Sequence, residues 1–333
     1  MKAPFSQEFL PESKKKSEQE SEMETKELFR MKSNYREDML VQGYRFGKGE
    51  KAACIAGAVR GNEIQQLYIC SQLVKQLKEL ESKGCINANK EIMVIPAINP
   101  FSINTGKRFW GVGDIDINRS FPGNQEGDTT SRIAAGVLEQ IRDYTYGIQF
   151  ASFYMPGEFV PHVRMMETGF QSPSLANLFG LPYVVIRKPR PVDTKTLNYN
   201  WQNQSTAAFS VYTNKTDELD EKSAVRATGA VLRFLTRMGI IRYESHSGYI
   251  SHVIQDEDLT NVHAGTAGLY RRLTTPGEYV RYHQPLAQIL DSYEGFTKQE
   301  ILAPTEGIIF YAHKDPLINQ GDITFRIIHR LHE

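Results

Sequence analysis

The stretch from Ala52 to Tyr68, AACIAGAVRGNEIQQLY, constrains the fold more than any other part of the chain. Ala52 to Gly57 are small or apolar and suit a buried strand, and Gly61-Asn62 suits a tight turn. From Ile64 the apolar residues Leu67, Tyr68, Leu73, Val74, Leu77 and Leu80 recur at helical spacing. A strand that turns directly into a helix is the building unit of an open α/β sheet. It places Arg60 and Glu63 at the strand's carboxyl end, where ligands of such sheets bind.

Glu91 to Ala97 (EIMVIPA) reads as a second buried strand, at a distance that fits a right-handed crossover. Further strands are expected at Gly147–Ser152, Pro182–Arg187 and Ala208–Thr213, with helices at about Ser131–Asp143 and Glu221–Met238. The polar segment Asn99–Gly123, NPFSINTGKRFWGVGDIDINRSFPG, is too long for an ordinary connector and reads as functional. Beyond Tyr243 short strands alternate with turns such as Pro276-Gly277 and Gln320-Gly321-Asp322, as in a small all-β domain. We therefore expect a polar N-terminal tail over residues 1–26, an α/β domain over 27–240 and a β domain over 241–333.

Several function classes fall away. Gly43 and Gly47-Lys48 are three residues apart, not the four of a phosphate loop, and the strand follows them instead of preceding them. Lys plus Arg equals Asp plus Glu at 39 each, which leaves no basic surplus for a nucleic-acid partner. No apolar run approaches the roughly 18 residues of a membrane span, and the first residues lack an apolar leader core, so a cytoplasmic protein with no membrane partner is expected. Cys54, Cys70 and Cys85 form no C-x-x-C and are expected to be buried thiols.

Arg60-Gly61-Asn62-Glu63 after a strand, Asn99-Pro100 followed by Lys107-Arg108, then DIDINRSFPG (Asp114–Gly123) and PGEFVPHVR (Pro156–Arg164) together resemble the succinylglutamate desuccinylase/aspartoacylase family of the zinc carboxypeptidase superfamily. The resemblance covers about residues 40–325. It implies an α/β/α sandwich with a central mixed sheet, and hydrolysis of the amide bond of an N-acylated amino acid or similar small substrate. The β region resembles the barrel-sandwich hybrid of biotinyl and lipoyl domains. Lys298 lacks the setting of their cofactor lysine, so a structural or lid domain is expected.

In that family a His-x-x-Glu motif and a distant second histidine hold one zinc ion, which lowers the pKa of a bound water. A glutamate takes the proton, an arginine holds the carbonyl oxygen, and an Asn-Arg pair grips the substrate carboxylate. The resemblance assigns Arg108 to the oxyanion position, Asn118 and Arg119 to the carboxylate pair, and Glu63 to the glutamate ligand. It sets Arg60 and Ala151 at the two histidine positions and Tyr212 at that of the catalytic glutamate. Of the eight histidines only His162 precedes residue 240, and it is expected as a hydrogen-bonded pocket residue contacting the ligand. His329 and His332 form a His-x-x-His at the chain end.

An arginine about 4 Å from a dication would be repelled by several kcal/mol at an effective dielectric near 20, so an Arg60-Glu63 pair would fill the metal's space. Other readings stand beside it: Arg60 as a solvated turn residue, Glu63 as a helix N-terminal carboxylate, and Arg108 with Asn118-Arg119 as a structural network. The expectation is a small anionic ligand, an N-acyl amino acid or peptide carboxylate, held by Arg108, Asn118, Arg119, Arg60 and His162, with no cofactor. The alternative is an active metal-dependent amide hydrolase whose zinc is held by Glu63 and unconventional ligands.

Overall fold

The computed structural model describes residues 23–34, 37–111, 113–153, 155–216 and 218–329. In chain order the first part contains β1 (Glu24–Met31), β2 (Met39–Gly47), β3 (Glu50–Ala58), α1 (Ile64–Ser82), β4 (Lys90–Ala97), α2 (Pro100–Ile103), α3 (Thr129–Ile141) and β5 (Tyr146–Ala151). It continues through β6 (Gly157–Phe159), β7 (His162–Met166), α4 (Pro173–Asn177), β8 (Tyr183–Arg187), α5 (Leu197–Asn203), β9 (Ala207–Tyr212), α6 (Glu221–Arg237) and β10 (His252–Gln255). All these strands but β6 form one mixed nine-stranded sheet, in the order β1-β2-β4-β3-β5-β9-β7-β8-β10.

The central strands are apolar along their whole length because helices cover both faces. Successive residues of β3 and β4 divide between two cores. Ala53, Ile55, Ile92 and Val94 pack with Leu73 and Leu77 of α1 and Val231 and Leu235 of α6. Cys54, Ala56, Met93 and Ile95 pack with Val137 of α3 and Trp201 of α5. This is the expected α/β/α sandwich. α3 starts at Thr129, two residues before the expected Ser131, because Asp128 caps it by accepting from Ser131 N at 2.8 Å.

Residues 1–22 of the expected tail lie outside the described residues, whereas Glu24–Lys26 pair with Gly43–Arg45 in β1 and β2. The large sheet also runs past residue 240, because β10 pairs in parallel with β8. The C-terminal part comprises β11 (Leu259–His263), β12 (Gly268–Arg272), β13 (Tyr279–Val280), β14 (Pro285–Leu290), β15 (Thr297–Leu302), β16 (Gly307–His313), β17 (Leu317–Ile318) and β18 (Ile323–His329). They form two antiparallel sheets around a core that includes Leu286, Ile289, Ile309 and Phe325.

One strand of the first part joins a sheet of the second. β6 pairs with β16, and Phe153, Phe159, Tyr212, Phe310 and Tyr311 form an apolar seam beneath that pairing. Lys298 donates to Ala267 O at 3.0 Å, and His332 lies outside the described residues. Cys54 and Cys70 are buried and Cys85 is half-buried, all as free thiols. Among the described residues no helix is long and apolar enough to cross a membrane.

Candidate functional site

The parallel register of β3, β5 and β9 sets Ala56 beside Gln149 and Ala151 beside Tyr212. Alternate side chains of a strand share a face. Gln149 and Ala151 of β5, with Ser210 and Tyr212 of β9, therefore line one cleft at the strands' carboxyl ends, together with Arg60. Gly61 lets the following loop approach. A Cβ there would lie 2.2 Å from Lys107 O and 2.3 Å from Ser102 O, so only bare backbone admits the segment that carries Arg108 into the cleft.

Arg60 and Glu63 are the buried centre, 4% and 1% exposed. Arg60 Nη1 lies 3.0 Å from Glu63 Oε1, while its Nε and Nη2 reach the Asp116 carboxylate at 2.9 Å. Glu63 Oε2 accepts from Val59 N at 2.8 Å and Arg60 N at 3.1 Å, and Oε1 also accepts from Ser152 Oγ. Burial works against the Arg60 charge, but Glu63 and Asp116 outweigh it and raise its pKa. The solvated-turn reading of Arg60 is thereby excluded. Asp116 does two jobs: it clamps Arg60 from one side and caps the short turn Ile117–Arg119, accepting from Asn118 N at 3.0 Å.

Among the described residues six guanidinium groups face this cleft, on Arg60, Arg108, Arg119, Arg164, Arg187 and Arg190, against one lining carboxylate, Asp193. Arg108 donates only to Phe153 O, at 3.4 Å, among the described residues. Its pKa is pushed down by burial first and by the neighbouring Arg60 second, and that of Arg119 is lowered in the same order. Arg119 donates to Val192 O at 2.8 Å and pairs with Asp193 at 3.0 Å. Asn118 Oδ1 is committed to Leu197 N at 3.2 Å, so a ligand would meet its amide donors. The cleft has a volume of about 60 Å³. That is room for about two waters at roughly 30 Å³ each, or for one small anion.

His162 corrects an expectation, because it does not line the cleft. Its ring is fully buried, bonds Val160 O through Nδ1 at 2.8 Å and lies flat against Tyr212, with centroids 4.8 Å apart. Burial, then Arg164, pushes its pKa down to about 3. The sign follows from the lowered folded-state value: between about 6.5 and about 3 the unfolded chain holds the extra proton, so stability falls as pH falls through that window. Urea unfolding at pH 7 and pH 4.5 is expected to show the native protein losing about 2 kcal/mol more than His162→Phe. Equal losses would contradict the assignment.

At the two positions that the resemblance assigns to zinc-binding histidines, Arg60 presents a guanidinium 3.0 Å from Glu63 and Ala151 presents a methyl group, and neither is a metal ligand. Among the described residues no three His, Cys, Asp or Glu side chains converge as a metal site. Tyr212 lines the cleft at the position assigned to the catalytic glutamate, held between His162 and Phe153 and beneath Arg164.

Sequence reasoning gave no role to Asp116, Ser152, Arg164, Arg187, Asp193 or Asn198. The available signals were Asp116 two places before the Asn-Arg pair, Arg164 in the middle of β7 and Arg187 at the end of the mostly apolar β8. Nothing in the sequence pointed to Asp193, which gathers Arg119, Arg187 and Arg190.

Residues 49–153 match the family described as the succinylglutamate desuccinylase/aspartoacylase catalytic domain. No match to a curated protein is found. Among solved structures, the chain is similar to a succinylglutamate desuccinylase/aspartoacylase from Rhodobacter sphaeroides, with TM-score 0.76 and 17% identity over 93% of this chain and 96% of the other. It is similar to the product-bound ectoine utilization protein EutE (DoeB) from Ruegeria pomeroyi, with TM-score 0.75 and 18% identity over 92% and 94% of the two chains. An aspartoacylase family protein from Mesorhizobium loti gives TM-score 0.73 and 16% identity over the same shares, 92% and 94%. At these identities the likeness is one of fold.

Proposed function

We propose that this chain, which carries the succinylglutamate desuccinylase/aspartoacylase catalytic-domain sequence over residues 49–153 on that family's fold, is a binding protein for a small N-acyl amino acid or related carboxylate, with Arg60 in place of the zinc. The observation that carries the proposal is the closed Arg60-Glu63-Asp116 network. The one carboxylate that matches a zinc ligand already balances a buried cation, and a dication beside that cation would be repelled.

Position 212 carries a tyrosine, and the one carboxylate lining the cleft among the described residues, Asp193, is paired with Arg119, Arg187 and Arg190, which argues against a carboxylate general base. What remains is recognition. Among the described residues Arg108 has no carboxylate partner, and the amide of Asn118 and Arg119 lie along the same wall. A ligand carboxylate there would form charge-assisted hydrogen bonds in a site already rich in positive charge.

The test is incubation of the protein, with and without added zinc, with N-acetylated and N-succinylated amino acids while free amine is followed. No release above background is expected in either case. Zinc-stimulated release that is lost in Glu63→Gln would contradict the proposal and favour the metal-dependent hydrolase.

A further inference from the structure

Two uncharged side chains of the cleft differ from the buried amides around them. Asn200 of α5 donates to Thr194 O at 3.0 Å and to Thr196 O at 2.8 Å, and Asn118 accepts from Leu197 N at 3.2 Å. Asn198, on the same helix as Asn200, makes no such bond. Its Nδ2 and its Oδ1 are both buried without a partner among the described residues, and so is Nε2 of Gln149 on β5. Each of these two side chains is 2% exposed, and both line the cleft. Leaving a buried amide unpaired is costly, so two of them in one cleft mark a place where a ligand supplies the bonds.

The fold holds both amides beside the carboxylate position. Gln149 sits in the middle of the sheet, with Ser210 of β9 as its register partner. Asn198 directly follows Leu197, whose N–H donates to Asn118, so it stands next to the contact that orients Asn118. Its helix is anchored by the fully buried Leu197 and Trp201, and is capped by Thr196, which accepts from Tyr199 N at 3.3 Å.

The donor and acceptor set specifies the ligand group. Whichever way its amide is turned, Asn198 offers one donor and one acceptor, and Gln149 Nε2 adds a second donor. A second oxyanion would satisfy the donors but set its charge against the Asn198 carbonyl oxygen. A ketone or an ester brings no proton for that oxygen. A secondary amide brings both an acceptor and a donor. In its trans form the C=O and N–H point in opposite directions, so two side chains are needed to read it. In an extended residue, by contrast, the N–H and the following carboxyl oxygen point the same way, as in a paired strand, and one carboxamide spans them.

We propose that Asn198 and Gln149 read the amide next to the ligand carboxylate. Asn198 Oδ1 accepts the ligand N–H while its Nδ2 donates to the adjoining carboxylate oxygen, and Gln149 Nε2 donates to the acyl carbonyl. The cleft thus selects an uncharged amide that keeps its proton, and rejects the ester, ketone or second acid of the same shape. This rests on the carboxylate-binding reading and adds the residues that recognise the group beside the carboxylate.

The test is calorimetry on the full chain with N-acetylglycine and with 4-oxopentanoate, in which a methylene replaces the N–H and all else is kept. N-Methylacetamide, which has the amide without the carboxylate, is followed by saturation-transfer NMR. N-Acetylglycine is expected to bind at least about tenfold tighter than 4-oxopentanoate, because the keto acid leaves Asn198 Oδ1 unpaired. Asn198→Leu is expected to bring N-acetylglycine down to the affinity of the keto acid. Gln149→Leu removes the donor to the carbonyl that both ligands share, so it should weaken both alike, and it decides the matter if Asn198→Leu does not fold. Equal affinities of the native protein for the two ligands would overturn the amide reading and leave the carboxylate reading standing, as would native affinity for N-acetylglycine in either variant. If N-methylacetamide alone binds, and is lost in Asn198→Leu, the amide reading stands and the carboxylate reading falls. No binding of any of the three overturns both.

Discussion

Glu63→Ala is expected to lower the free energy of unfolding by roughly 3–5 kcal/mol, the cost of leaving a buried charge and its donors without a partner. The substitution removes the acceptor of Arg60 Nη1 at 3.0 Å, of Val59 N at 2.8 Å and of Arg60 N at 3.1 Å, together with that of Ser152 Oγ. Asp116 alone would then balance a guanidinium that is 4% exposed. Glu63→Gln keeps an acceptor for the backbone donors but loses the charge, so a smaller loss is expected. Equilibrium urea unfolding with an unchanged m-value measures both. A loss below about 1 kcal/mol for Glu63→Ala would mean that the carboxylate is held for another purpose, such as a metal.

Arg108→Ala is expected to weaken binding of N-acyl amino acids by roughly a hundredfold or more, the usual consequence of truncating one partner of a desolvated charge pair. Stability should change little, because the guanidinium contributes only one long hydrogen bond, to Phe153 O at 3.4 Å. Arg119→Ala should also weaken binding, with an added structural cost, since Arg119 bonds Val192 O at 2.8 Å and Asp193 at 3.0 Å. Calorimetry against one N-acyl amino acid separates the two. Unchanged affinity in Arg108→Ala would remove the assignment of Arg108 to the ligand carboxylate.

The layers of the fold were legible because β3, β4 and α1 carry patterns that only a two-faced sheet with covering helices satisfies. β7 was hidden: it is only five residues long, HVRMM, and two of them, His162 and Arg164, are polar. α5 was hidden for a related reason, since buried Asn198, Asn200 and Gln202 face inward where apolar residues would have revealed a helix. Within the site, the Arg60-Glu63 pair could be read from a three-residue spacing, and the adjacent Asn118-Arg119 pair from the resemblance of DIDINRSFPG to the family's motif. Asp116 stands 56 residues from Arg60, and Asp193 stands 74 from Arg119. Such contacts are set by strand order and loop packing, which no local pattern encodes. His162 misled because histidine in a polar motif suits both a pocket and a core, and only burial distinguishes them.

The proposed function requires that the Arg60 guanidinium hold the place of the zinc. Metal analysis by mass spectrometry tests it most directly, on protein purified without chelator, incubated with zinc and then desalted. The predicted result is far less than one zinc per chain, the same in the native protein and in Glu63→Gln. One zinc per chain in the native protein, lost in Glu63→Gln, would contradict it.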